Sequence, residues 1–176
     1  MSKKKVVIIN GSGGVGKDSF IDAIRKYATV VNYSSVEMIK WLARCAGWDG
    51  VKDDKGRKFL SDLKRVTTEY NDLSYRCTLE VAKAFVRESK DAEILFIHVR
   101  EPEEIERIKT SIREMLNAFV VTLLITRESV SAIVSNASDK NVLSYNYDYC
   151  CKNDGSLDDL DATAKSFLCT LRIVAE

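Results

Sequence analysis

Short apolar runs alternate with longer amphipathic segments along most of this chain. Val6–Ile9 and Ile94–Val99 are nearly continuous apolar runs, which is typical of strands buried on both faces of a parallel sheet. Val30–Tyr33, Phe119–Ile125 and the weaker run Tyr145–Cys151 are further strand candidates. Strands that alternate with helices predict an α/β fold with a five-stranded parallel sheet and helices on both faces.

The segments between these runs carry apolar residues at a helical spacing of three or four positions. Such stripes predict helices, and they lie within residues 20–27, 38–46, 59–66, 79–86, 105–116 and 157–171. Pro102 suits the first turn of the fifth helix. Ser156, three residues before Asp159, predicts the N-terminal cap of the last helix. The polar, glycine-bearing segment Trp48–Arg57 predicts a loop.

The composition limits the class of protein. Of the 176 residues, 45% are apolar and 30% are charged, so we expect one soluble globular domain spanning residues 1–176. The formal net charge of +1 argues against a general attraction to nucleic acid or to an anionic membrane, and neither is expected as a partner. The five cysteines include no Cys-x-x-Cys pair, and the apolar stretch near the N-terminus is too short for a signal peptide or a membrane span. We therefore expect a cytoplasmic protein with reduced thiols, either a monomer or a homodimer.

The clearest chemical signal is a glycine-rich segment between the first strand and the first helix. It has the G-x-x-x-x-G-K spacing of a phosphate-binding loop and consists of Gly11, Ser12, Gly13, Gly14, Val15, Gly16 and Lys17. Glycines allow successive backbone N–H groups to point into one hollow at the N-terminus of a helix, where the helix dipole also favours phosphate. Lys17 adds a mobile positive charge for the β- and γ-phosphates. The segment predicts binding of ATP, and GTP is left open by the sequence.

The residue after this lysine departs from the general pattern. A Ser or Thr hydroxyl usually binds Mg²⁺ at this position, whereas this chain has Asp18 followed by Ser19. A carboxylate is also a hard oxygen ligand for Mg²⁺. We expect Asp18 to bind the metal, directly or through water, and Ser19 to reach the α-phosphate. The alternative is that Asp18 only favours the helix N-terminus electrostatically.

The sequence Gly-Lys-Asp-Ser after a strand resembles a small group of P-loop kinases, the bacteriophage deoxynucleoside monophosphate kinases and the animal-type phosphomevalonate kinases. Three further segments strengthen the resemblance: Met38–Lys40 on the second helix, His98–Pro102 after the third strand, and Tyr147–Leu157 with its Asn-Asp-Gly-Ser-Leu turn. The likeness spans most of the chain in order, and the phosphate loop and the Asn-Asp-Gly turn are its specific parts. It implies a P-loop kinase fold with strand order 2-3-1-4-5, acceptor-side helices at about residues 35–89 and a short lid at about residues 127–140.

The resemblance also implies roles for individual residues. Asn153, Asp154 and Gly155 would border the adenine, unless they form an ordinary strand-to-helix turn. Arg100 would meet phosphates of the acceptor or of the transition state, the alternative being a surface salt bridge with a neighbouring glutamate. Arg127 would begin the lid and contact the triphosphate.

On the acceptor side, His98 departs from these kinases, which carry an aspartate at the corresponding place. A neutral imidazole accepts a hydrogen bond but does not supply the same negative charge. His98 is therefore either an acceptor-side residue or a packed residue that closes the third strand. Lys40, Arg65 and Arg76, which lie on the second to fourth helices, are together the best local source of anion binding, although each alone is also typical of a solvated charge.

These features predict an ATP-dependent phosphotransferase that uses Mg²⁺ and acts on a small phosphorylated acceptor. The preferred acceptor is a nucleoside or deoxynucleoside monophosphate, and phosphomevalonate and dephospho-coenzyme A are alternatives. The alternative from another class is a nucleotide-binding regulatory protein with little or no kinase activity. His98 and a lid with a single arginine favour this second class.

Overall fold

The centre of the molecule is a five-stranded parallel sheet, seen in a computed structural model that describes residues 4–131 and 141–174. The strands are β1 (Lys5–Asn10), β2 (Val30–Ser34), β3 (Ile94–His98), β4 (Phe119–Thr126) and β5 (Tyr149–Lys152). Their order is β2-β3-β1-β4-β5, with all neighbours parallel, which confirms the α/β class and the strand order expected from the sequence.

Seven α-helices connect or flank these strands in the described part of the chain. They are α1 (Lys17–Ile24), α2 (Glu37–Cys45), α3 (Asp54–Asn71), α4 (Leu73–Arg87), α5 (Pro102–Leu116), the four-residue α6 (Glu128–Ser131) and α7 (Leu157–Thr170). Among the described residues, none of these helices has the length and apolar character that crossing a bilayer requires.

The sheet is covered on both faces because successive side chains of a strand point to opposite sides. Val7 and Ile9 of β1 pack with α1 and α7, whereas Val6 and Ile8 pack with α4 and α5. All four of these side chains are fully buried. This double burial explains why the central strands have continuous apolar sequences instead of alternating ones.

Helix α3 corrects two expectations from the sequence. It begins at Asp54, inside the segment predicted to be a loop, because the Asp53 carboxylate caps it by accepting a hydrogen bond from the Gly56 N–H (2.7 Å). Its predicted apolar stripe is also largely exposed, with Phe59 37% and Val66 50% accessible. The helix packs against α2 and α4 and not onto the sheet, so it lies outside the two-sided core.

The last strand is shorter than predicted. Strand β5 begins at Tyr149, not at Tyr145, because the Asp148 carboxylate accepts the Thr122 backbone N–H (2.8 Å) next to the point where pairing with β4 starts. The predicted cap of α7 is confirmed by reciprocal hydrogen bonds between Ser156 and Asp159. Leu157, expected in the buried stripe of that helix, is instead 79% exposed in its first turn.

Candidate functional site

The glycine-rich loop connects β1 to α1 with a backbone that only glycine accommodates at two positions. Gly11 has φ +147°, and a Cβ atom there would lie 2.4 Å from the Ile125 carbonyl oxygen. Gly16 has φ +89°, and a Cβ atom there would lie 2.2 Å from Nδ2 of Asn153. Both the positive φ angles and these close approaches exclude a side chain. The loop therefore has the shape of a phosphate cradle, with Gly13 and Gly14 exposed toward the cleft described below.

The first residues of α1 place charge beside this cradle. The Lys17 ammonium group donates hydrogen bonds to the carbonyl oxygens of Gly11 (2.5 Å) and Ser12 (2.8 Å), so it lies across the loop. Asp18 and Ser19 follow and are exposed, and Asp18 lines the adjoining cleft. The arrangement offers one ammonium group and one carboxylate at the place where a nucleotide phosphate would sit.

Asn10, for which the sequence predicted no role, is hydrogen-bonded to the first residue of the glycine-rich loop. It is 1% exposed, and its Oδ1 accepts the Gly11 N–H (2.8 Å). Its Nδ2 donates both to the Arg100 carbonyl oxygen (3.0 Å) and to the Tyr147 hydroxyl (2.7 Å). One buried amide thus links the phosphate loop to the chain just after β3 and to the segment before β5.

The Asn-Asp-Gly turn after β5 is hydrogen-bonded to the phosphate loop. Asn153 is 8% exposed, and its Nδ2 donates to the Val15 carbonyl oxygen (2.8 Å) while its backbone N–H donates to Thr126 (2.8 Å). The Asp154 carboxylate accepts the Glu128 N–H (2.6 Å). The Asn153 side-chain amide is therefore hydrogen-bonded to the phosphate loop, and Asp154 and Gly155 form the exposed part of the turn.

A cleft of about 680 Å³ opens between the phosphate loop and helices α2 and α3. It brings together the predicted residues Gly13, Gly14, Lys17, Asp18, Lys40, His98 and Arg100. Arg65 and Arg76 are not brought to it. Arg65 pairs with Glu69 on the exposed side of α3 (3.0 Å), and Arg76 is exposed on α4. Two cations that the sequence analysis passed over, Lys52 and Arg57, line the cleft instead.

His98 lies in this cleft at the end of β3, between Ile9 of β1 and Ser34 of β2 in the strand register. Its Nε2 is 2.8 Å from Oδ1 of Asn32, which fits an N–H donated to the amide oxygen. Burial lowers the pKa of His98 to about 4, the nearby Asp18 carboxylate opposes this change, and cations including Lys17 add to it. His98 is therefore a neutral imidazole near pH 7, with Nδ1 as a hydrogen-bond acceptor.

The acidic groups of the cleft are largely committed to pairs. Glu37 pairs with Lys40 (3.2 Å), and Glu101 pairs with Lys64 (3.0 Å). Five cations, Lys17, Lys40, Lys52, Arg57 and Arg100, line the cleft together with three carboxylates, Asp18, Glu37 and Glu101. This surplus of positive charge contrasts with the nearly neutral chain and favours anionic ligands locally.

The lid-side segment begins directly after β4. Arg127 follows Thr126, and the Arg127 carbonyl oxygen accepts the Val130 N–H (3.1 Å) in the short helix α6. The rest of the predicted lid, residues 132–140, lies outside the described residues. The Asp154–Glu128 hydrogen bond places Arg127 beside the turn that supports the phosphate loop.

The donor set fits a magnesium nucleotide better than a resident metal. Among the described residues, no group of three or more His, Cys, Asp or Glu side chains is arranged to hold an ion. Mg²⁺ in phosphate-transferring sites is bound by one or two carboxylates together with substrate phosphates. Asp18, next to a cradle that a Cβ would fill, provides one such carboxylate.

Comparison with known proteins supports the fold. No protein-family model matches the chain, and no curated protein matches it in sequence. The structure of a tunicamycin resistance protein from Deinococcus radiodurans is similar, with a TM-score of 0.60 and 13% identity over 98% of both chains. Shikimate kinase from Aquifex aeolicus is also similar, with a TM-score of 0.51 and 11% identity over 96% of both chains. At these identities the likeness shows the fold alone.

Proposed function

We propose that this chain is an ATP-dependent phosphotransferase that acts on a small phosphorylated acceptor, with a nucleoside or deoxynucleoside monophosphate as the preferred acceptor. The observation that carries the proposal is the glycine cradle of Gly11–Lys17, which opens into a cleft with surplus positive charge. A cradle alone fits any nucleotide-binding protein. The adjoining cleft, large enough for a second small molecule and rich in cations, favours transfer to an anionic acceptor.

The nucleotide would occupy the loop, with its phosphates against the backbone N–H groups and Lys17. Mg²⁺ would supply charge neutralisation at the phosphates, and Asp18 would hold it. Ser19 would reach the α-phosphate, and Asn153, Asp154 and Gly155 would border the base. Lys17 and Arg100 line the cleft and are proposed to stabilise the negative charge of the transferred group, with Arg127 approaching from the lid side.

In the transfer step, an acceptor oxygen forms a bond to the γ-phosphorus while the bond to the β-phosphate oxygen breaks, leaving ADP. A phosphate acceptor is already ionised near pH 7 and needs no base to remove a proton. The neutral His98 is therefore assigned no proton transfer in this step, and its Nδ1 is an available hydrogen-bond acceptor. Catalysis then depends on positioning and on charge stabilisation.

A regulatory nucleotide-binding protein is the second candidate. The His98–Asn32 hydrogen bond favours it, since this pair replaces the carboxylate of the resembling kinases with neutral groups. Both candidates use the same phosphate loop, so nucleotide binding alone does not separate them.

Purified protein incubated with γ-labelled ATP, Mg²⁺ and a panel of phosphate acceptors separates the two candidates. Transfer to one acceptor would establish the kinase and its substrate together. ATP binding without transfer to any member of a panel that includes nucleotides, phosphomevalonate and dephospho-coenzyme A would favour the regulator.

Lys17→Ala tests the role of the phosphate loop in transfer. The Lys17 ammonium group donates to the Gly11 and Ser12 carbonyl oxygens of the loop and not into the core, so we expect a folded variant whose transfer rate is lower by about a hundred- to a thousand-fold. Lys26→Ala, which removes an exposed lysine that follows α1 and pairs with Asp161 of α7, is the matched control. Equal turnover by Lys17→Ala and the control would contradict the assignment of the loop.

A further inference from the structure

The segment between α2 and α3 has a fixed shape, although its sequence suggests an irregular loop. The Trp48 indole N–H donates to the Val51 carbonyl oxygen (2.9 Å), and the Asp49 carboxylate accepts the Val51 N–H (2.9 Å). Gly56 is buried against this turn, where a Cβ atom would lie 2.3 Å from the Val51 oxygen. The segment therefore presents its next residues to the cleft in one defined arrangement.

Those residues include two cations, Lys52 and Arg57. Nε of Arg57 donates to the backbone carbonyl oxygen of Lys52 (2.9 Å), five positions earlier, so this bond anchors the Arg57 guanidinium to the segment. Both residues line the cleft that also contains Gly13, Gly14 and Lys17 of the phosphate loop. Two cations that line one cleft favour an anionic ligand there.

In the described part of the chain, several cations of α3 have acidic partners, whereas Lys52, Lys55 and Arg57 form no salt bridge. Lys58, Lys64 and Arg65 each pair with a carboxylate. Within residues 4–131 and 141–174, neither Lys52 nor Arg57 forms a salt bridge, and the nearest acidic residue in sequence, Asp53, is used to cap Gly56. With Nε occupied, the two Nη groups of Arg57 still present a planar fork of donors, which matches phosphate oxygens.

We propose that Lys52 and Arg57, together with Lys40, bind a phosphate monoester group of the acceptor. The inference rests on the proposed function for the identity of that ligand as an acceptor, but binding of the phosphate group itself does not require transfer. It assigns acceptor recognition to the start of α3, in place of Arg65 and Arg76, which the structure leaves outside the cleft.

Inorganic phosphate is the probe for a direct test by calorimetric titration, with the phosphate loop first saturated by Mg·ADP. The parent protein should bind phosphate under these conditions. Arg57→Gln and Lys52→Gln should each weaken that binding by about tenfold or more, because each removes a charge-assisted contact. Lys55→Gln is the matched control: it removes an exposed cation of the first turn of α3 that does not line the cleft, and phosphate binding should be unchanged.

The outcomes separate this site from the proposed function. If ADP binds but the parent does not bind phosphate, or if both glutamine variants bind it as tightly as the parent, the Lys52–Arg57 site is wrong while the kinase assignment stands. If ADP does not bind, the proposed function fails. The same titration without nucleotide then tests the phosphate site on its own. If the site is specific, phosphate binding is weakened in the Arg57 and Lys52 variants and unchanged in the Lys55 variant. Melting curves of all variants show whether each is folded.

Discussion

At the scale of single residues, close contacts in the phosphate loop leave no space for larger side chains at a few positions. Gly16 and Asn153 illustrate this, because they lie far apart in sequence and yet the Asn153 amide occupies the space where a Gly16 side chain would be. The glycine could be predicted from the loop motif alone. The inward role of Asn153 could not, because the resemblance pointed to the base and its actual partner, Val15, is 138 residues away in sequence.

Gly16→Ala should reduce ATP affinity by more than its cost in backbone strain explains. Gly47→Ala is the matched control, since Gly47 has a similar φ angle (+94° against +89°) but open space around it. Both variants should lose about 1 kcal/mol or more of unfolding free energy from the left-handed conformation. Only Gly16→Ala also displaces Asn153 and the loop. Urea unfolding and ATP titration measure the two effects, and equal ATP affinity of both variants would contradict the packing described.

His98 makes stability depend on pH in a predictable direction. Burial lowers its pKa in the folded state from 6.5 to about 4. Between these values the unfolded chain binds a proton and the folded chain does not, so stability falls as pH decreases from about 6.5 toward 4. The loss is on the order of 3 kcal/mol at most.

The test is simple because His98 is the only histidine of the chain. The imidazole signals in an NMR titration should show one transition at about pH 4, the lowered pKa of His98. Unfolding free energies at pH 7 and pH 5 should differ more for the parent than for His98→Gln. A transition at pH 6.5 would contradict this prediction and show that the imidazole is solvated.

At the scale of elements, the strands of the core were easier to predict than the acceptor side. Continuous apolar runs identified β1 and β3 almost to the residue, because burial on both faces leaves no other choice of side chain. The argument from burial does not apply to helix α3. It packs on helices, buries only Gly56, and starts at a cap, Asp53, that lies in a polar segment without a distinctive pattern.

Helix α7 offers a prediction about capping. Ser156→Ala removes the hydroxyl that accepts the Asp159 N–H and should lower the unfolding free energy by about 0.5 to 2 kcal/mol. Ser166→Ala, at an exposed position inside the same helix, is the control and should be neutral or slightly stabilising, because alanine has the higher helix propensity. Chemical denaturation of both variants measures the difference. A cost for Ser166→Ala as large as that for Ser156→Ala would argue against the cap.

At the scale of the whole molecule, the parallel arrangement of the strands brings segments that are distant in sequence together at the carboxyl edge of the sheet. The ends of β1, β3 and β4 and the turn after β5 all contribute to the site, and Asn10 connects them with partners 90 and 137 residues further along the chain. The strand order followed from the resemblance, and the phosphate loop from a contiguous motif. The sequence did not predict roles for Asn10, Lys52 and Arg57, because their contacts and the cleft depend on residues that are distant in sequence.

Asn10→Ala should affect the molecule as a whole. It leaves the buried Gly11 N–H, the partly buried Arg100 carbonyl and the Tyr147 hydroxyl without this partner. It should cost about 2 to 4 kcal/mol of unfolding free energy and also lower the ATP affinity. Tyr147→Phe removes one of these contacts and should cost less and leave ATP binding nearly intact. The two are compared by denaturation and by ATP titration. An ATP affinity as high in Asn10→Ala as in the parent would show that the loop holds its shape without this amide.

The indole of Trp48 has a consequence for how this protein can be observed. Its ring lies at the base of the segment that carries Lys52 and Arg57, half-buried, with the Arg44 guanidinium 5.8 Å from its centroid. Fluorescence of this indole is therefore an intrinsic optical reporter of the proposed acceptor site, sensitive to any ligand that changes the conformation of the turn. The chain has one other tryptophan, Trp41, which is 56% exposed, so replacing it with phenylalanine isolates the Trp48 emission. Acceptor binding could then be followed in real time without a label.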